Sequence, residues 1–161
     1  MSESPGRPWP RVGSVEQLLA QLEKEGIPYL RLSSQETVSI PTRLGDEEGV
    51  LHIRWQGEAG LVQFVHPVPL EVPFERRAEM LEALNRVNHQ LAVLGFTLNP
   101  DDGYCSFRTQ AFLDPEGCLL VGLVGALIAT CARTVLEYLP ALRAVAIPPP
   151  VATYLVSGSV A

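Results

Sequence analysis

Apolar residues recur along this chain with two periods, and each change of period marks an element. Val15, Leu18, Leu19 and Leu22 fall on one stripe of a helix. Ser14 just before them, with Gln17 three residues on, has the spacing of a capping box. Gly26 and then Pro28 predict where that helix stops. The period then shortens to two, and strands are predicted over 29–32, 37–44, 50–56 and 61–66. In the third of these Leu51, Ile53 and Trp55 point one way and His52, Arg54 and Gln56 the other, as in a strand with one wet face. The connections are too short for parallel crossovers, so the sheet is predicted to be antiparallel. Pro67, Pro69 and Pro73 are expected to stop it.

A second helix is predicted over 74–94, with Met80, Leu81, Leu84, Val87, Leu91 and Leu94 on its apolar face and Gly95 as its cap. A hairpin over 96–99 and 104–112 turns at Pro100-Asp101-Asp102-Gly103. The turn Asp114-Pro115-Glu116-Gly117 leads into a last helix over 118–139, which Pro140 kinks or ends. The order α-ββββ-α-ββ-α predicts an α+β fold, an antiparallel sheet with helices packed on one face. Residues 1–13 read as a disordered lead-in pinned at Trp9, 14–145 as one domain, and 146–161 as a Pro-rich tail with a short apolar piece at Tyr154, Leu155 and Val156.

The last helix breaks the amphipathic rule. Leu120, Leu123, Val124, Leu127, Ile128, Cys131, Val135 and Tyr138 share a broad face expected to lie on the sheet. The opposite face carries Gly122, Ala126 and Ala129, and its first charge is Arg133. A helix apolar all round is buried all round. Its uncharged run is shorter than the roughly 20 residues that span a bilayer, so burial in protein is expected. The first helix, the tail around Tyr154, a second copy of the chain or another protein could each supply the cover. Gly122, Ala126, Ala129 and Arg133 are therefore the candidate dimer or partner contacts.

Composition narrows the chemistry. The 161 residues carry a net charge of -6, and Arg76-Arg77 is the longest basic run, which argues against nucleic-acid binding. Cys105, Cys118 and Cys131 are widely spaced, and no signal-peptide pattern opens the chain. Reduced thiols and a cytoplasmic location are expected. The chain contains no phosphate-binding, dinucleotide, zinc-protease or hydrolase motif. No catalytic residue, metal or cofactor is expected, and no membrane partner. Asp101 and Asp102 lack the spacing of a calcium loop and read as a turn. Asn85 and Asn88, mid-helix, read either as surface amides or as hydrogen-bond donors to a neighbouring backbone; Arg108, mid-strand, reads as a structural ion pair or a partner contact.

Leu84-Asn85-x-x-Asn88, Gly95-Phe96-x-Leu98, Asp102-Gly103-Tyr104, Phe107-Arg108 and Tyr138-Leu139-Pro140-x-Leu142 resemble the YbjN-like family, which shares its fold with type III secretion chaperones. The resemblance implies a compact, commonly dimeric α+β domain that binds other proteins, and it supplies no catalytic residue. The expectation is a chaperone-like, homodimeric module with a protein client. The alternative is a small-ligand sensor with a pocket between sheet and helices.

Overall fold

Alternation along the strands decides which way the sheet faces. The computed structural model describes residues 10–31, 36–92 and 95–147. Eight strands, β1 (Arg11–Val12), β2 (Leu30–Arg31), β3 (Thr37–Leu44), β4 (Glu47–Gln56), β5 (Leu61–Glu71), β6 (Phe96–Leu98), β7 (Tyr104–Phe112) and β8 (Leu119–Leu120), alternate with three helices, α1 (Val15–Lys24), α2 (Arg77–Gln90) and α3 (Val121–Ala146). Six strands form one antiparallel sheet in the order β2-β3-β4-β5-β7-β6, while β1 and β8 pair by themselves. The predicted class and element order are observed, with β1 and β8 added. Arg11 and Val12, inside the segment expected to be disordered, form β1; Trp9 and the apolar tail piece lie outside the described residues.

One register carries the core. Val38, Ile53 and Phe64 stand side by side across β3, β4 and β5, with Ile40 beside Leu51 and Trp55 beside Val62. All are buried, as are Phe96 and Phe107 farther along the sheet. Against them pack Val15, Leu18 and Leu22 of α1, Met80 and Leu84 of α2, and Cys131, Val135, Leu139 and Leu142 of α3. Phe64 and Phe107 are fully buried, and truncating either to alanine costs on the order of 3–5 kcal/mol.

Several boundaries differ from expectation for local reasons. β5 runs through Pro67 and Pro69 to Glu71. Its ladder with β4 ends at Val65, so both prolines sit where β5 has β7 as its neighbour on one side only, and a missing N–H is tolerated there. α3 continues past Pro140 to Ala146; Pro140 and Leu136 are both exposed, so water can take the carbonyl that proline leaves unbonded. It starts at Val121, not 118, because Leu119 and Leu120 are held by β1. α2 ends at Gln90, where Leu91 is already extended, so Gly95 does not cap it. Leu81 is exposed, and Leu94 lies outside the described residues.

Where β4 and β5 part, His66 fills the gap. Thr42 Oγ1 lies 2.8 Å from its Nε2, and its Nδ1–H donates to the Pro67 carbonyl at 2.7 Å. Gly49 makes room: a Cβ there would stand 2.7 Å from Thr42 Oγ1 and 3.1 Å from the His66 ring.

Candidate functional site

α3 presents its outer face to solvent. The face expected to be buried is exposed at Gly122, Ala126, Ala129 and Arg133, and nothing among the described residues covers them. Leu123 and Leu136 beside them are 40% and 43% exposed. A side chain added at Gly122 or Gly125 would meet no atom within 4 Å. The sheet-facing set differs from the predicted one: Leu120 and Leu123 turn outward, and Thr134, Leu139, Leu142 and Ala146 are buried with Val124, Cys131 and Val135. α1 covers one flank only, leaving a cavity of about 20 Å³ between Leu18 and Leu22 on one side and Val124, Gly125 and Ile128 on the other. Pro10, Leu120, Val121, Gly122 and Leu123 line an open apolar groove of about 580 Å³ at the start of α3.

By length and composition α3 could cross a membrane, with a mean hydropathy of 1.4. Its inner row, however, is packed against the sheet, and Arg143 forks onto Glu47, with Nη1 and Nη2 donating to the two carboxylate oxygens at 2.6 and 2.5 Å. The guanidinium keeps the Glu47 carboxyl below its ordinary range.

The polar candidates separate. Asn88 clamps the backbone of Phe96: its Nδ2 donates to the Phe96 carbonyl at 2.9 Å and its Oδ1 accepts from the Phe96 N–H at 2.7 Å. That is the backbone-bonding reading of the two asparagines, and it places Phe96 edge-on to Phe107 and Tyr138 in the core. Asn85 is exposed at the rim of an open groove with Arg86, Asn88, His89 and Gln90. Arg108 makes no ion pair among the described residues; its Nε donates to Ser106 Oγ at 3.2 Å. The cross-strand relation of Arg108 to Arg54 depends on β7 lying next to β5, which sequence spacing does not reveal.

A second open groove, about 600 Å³, lies between Gly13, Ser14 and Glu16 at the start of α1 and Trp55 to Ala59 at the β4–β5 turn, with Glu36 on its wall. Ser14 caps α1 as predicted, its Oγ accepting from the Gln17 N–H at 3.2 Å.

The reactive side chains are poorly placed for catalysis. Burial pushes the Cys105 and Cys131 thiols up to about 12, which leaves essentially no thiolate at neutral pH. Among the described residues no three His, Cys, Asp or Glu side chains converge as metal ligands. Asp102 Oδ1 accepts from the Tyr104 N–H and Asp114 Oδ1 from the Glu116 and Cys118 N–H groups, so these carboxylates hold turns.

A helix-backed antiparallel sheet with inert buried thiols and one bare apolar helix face defines a binding or regulatory domain by its surfaces. The chain belongs to the YbjN family, described as "Putative bacterial sensory transduction regulator", whose profile matches residues 14–144. No curated protein matches it.

Proposed function

We propose that this domain is a non-catalytic, chaperone-like regulator that binds a protein client and works as a homodimer, paired through the outer face of α3. The observation that carries the reading is the bareness of that face. Glycines inside a helix cost about 1 kcal/mol each relative to alanine, and at Gly122, on this face, even an added side-chain carbon would touch no described neighbour. Small residues let a second helix approach closely.

The face is also complementary to itself. Arg133 and Glu137 are exposed there and make no ion pair among the described residues. An antiparallel crossing on the outer face, midway between Arg133 and Glu137, would set Arg133 of each copy against Glu137 of the other and Ala129 against Ala141. Such an isologous contact closes at two subunits. Light scattering on the purified protein should give a dimer, and Ala126→Arg should give a folded monomer with an unchanged circular dichroism spectrum. A wild-type monomer, or a variant that stays dimeric, overturns the pairing; a monomer that floats with liposomes assigns α3 to a lipid surface instead.

The groove between Ser14, Glu16, Glu36 and Trp55 favours the second reading, a small-ligand sensor. A metabolite that raised the melting temperature in step with its concentration, and lost that effect in Trp55→Ala, would support it.

A further inference from the structure

The face of the sheet turned away from the helices carries an arrangement that the pairing of α3 leaves unused. Across β4, β5 and β7 one row of this face reads Arg54, Gln63, Gln110 and the next His52, Val65, Arg108. Ser106 and Tyr104 follow along β7 on one side, and Leu61 opposite Phe112 closes the other end. Alternation puts all of these side chains on the helix-free side.

Burial is the first unexpected feature. Val65 is 1% and Ser106 0% exposed, although alternation aims them away from the three helices. On that face the Ser106 hydroxyl lies 3.0 Å from Thr97 Oγ1 and accepts from the Arg108 Nε–H at 3.2 Å. Tyr104 feels both guanidiniums: burial raises its pKa, and the charges of Arg108 and Arg54 pull against that rise.

Charge is the second. In a chain of net charge -6, Arg11, Arg31, Arg76, Arg86 and Arg143 are each spent on a carboxylate. Arg54 and Arg108 are exposed and have no carboxylate partner among the described residues. In the register Glu71 stands opposite Tyr104, Glu48 opposite Arg43, and Glu36 just before Thr37, the partner of Arg54; among the described residues none of them forms an ion pair with Arg54 or Arg108. His52 adds a nitrogen to the same patch, hydrogen-bonded to Ser39 Oγ at 2.9 Å.

The third feature is Phe112, 71% exposed at the end of β7. Arginine, tyrosine and an exposed phenylalanine on one rigid surface are the residue types that concentrate binding energy between proteins.

We infer that the helix-free face of the sheet is a docking surface for an acidic, partly apolar segment of a partner protein, its carboxylates on Arg54 and Arg108 and an apolar side chain against Phe112. Carboxylate recognition by paired guanidiniums is favoured by charge and by fork geometry. The surface lies across the sheet from α3, so it can be occupied whether or not two copies pair.

The test uses the full chain and a synthetic fluorescent peptide of glutamates with one central leucine, beside a glutamine-for-glutamate control, at low salt. Anisotropy should show binding of the acidic peptide only, weakening as salt rises. Arg54→Gln with Arg108→Gln should weaken it about tenfold, the size expected from losing two exposed charge pairs. Arg54→Lys with Arg108→Lys should keep most of it, which separates loss of charge from loss of fold. The double reversal Arg54→Glu with Arg108→Glu should exchange preference to a lysine-for-glutamate peptide. Amide shifts on titration should fall on β4, β5 and β7 and persist in Ala126→Arg, which separates this surface from the pairing of α3. Equal binding of the control peptide, or affinity indifferent to both arginines, overturns the proposal. So does binding of a single-stranded RNA oligomer through the same arginines when the acidic peptide fails to bind.

Discussion

At the scale of single residues, small backbone approaches decide which polar groups can act. Asn88 reaches both the N–H and the carbonyl of Phe96 because Gly95 has no side chain; a Cβ there would collide with the Asn88 amide oxygen. Asn88→Ala leaves a strand end without its clamp and should cost about 2 kcal/mol, read as a drop in the denaturant midpoint. Gly95→Ala should cost a comparable amount through overpacking, about 1–3 kcal/mol. The Asn88 bond was one of two readings open in the sequence. Gly95 was misread as a helix cap, because a glycine after an apolar run signals both a left-handed turn and a close approach, and only the turn leaves a local pattern.

His66 belongs to the same scale. Burial lowers its pKa, with the Pro67 carbonyl opposing and His52 adding to the shift. The folded protein therefore refuses a proton that the unfolded chain, with an ordinary value near 6.5, accepts. Its contribution to stability is whole above about pH 6.5 and falls as pH drops below that value toward the lower folded pKa. Melting temperature should decline between neutral pH and about pH 5, and His66→Gln should lessen the decline. A profile unchanged by the substitution would place the titration elsewhere. His52, whose pKa is also lowered by burial and then by the Arg54 charge, withdraws stability in the same window, so His66→Gln with His52→Gln should flatten this part of the profile. Glu47 and Asp114, lowered chiefly by Arg143 and by the Cys118 N–H, lose theirs at lower pH.

At the scale of elements, period was a good guide and boundaries were not. The alternation of Leu51, Ile53 and Trp55 placed β4 correctly because each residue answers to one face of one sheet. The prolines of β5 and α3 misled, since whether proline breaks an element depends on what lies beside it, which the residue itself does not report. The outer face of α3 was legible as an anomaly, and the structure sharpens it: α1 takes a flank and leaves the glycine and alanine side bare. Gly122→Ala separates helix propensity from pairing. In a monomeric background such as Ala126→Arg it should stabilise by about 1 kcal/mol, seen as a raised melting temperature. If the contact between two copies extends along α3 to Gly122, the same change should weaken the dimer in concentration-dependent sedimentation.

For the whole molecule, the class of fold and the YbjN resemblance could be read from the sequence, because both rest on local motifs and element order. The arginine pair could not. Arg54 and Arg108 become neighbours only when β7, after α2 and β6 have intervened, returns to lie beside β5. That crossover turns a scatter of cations in an acidic chain into a positive patch on one side of the sheet, with the bare helix on the other.

The margins of the sheet have a consequence of their own. Among the described residues one edge is β2, two residues long, and the other β6, three residues long; the part of β3 that β2 leaves unpaired contains Pro41, and β7 runs past β6 only over residues 109–112. Short borders and a proline give an incoming strand little to template on. Growth strand by strand, which has no natural end, is thereby discouraged, and association is directed to the two faces, where each contact uses up the surface that made it. Concentrated solutions of this protein should accordingly hold assemblies of fixed small number and not fibres.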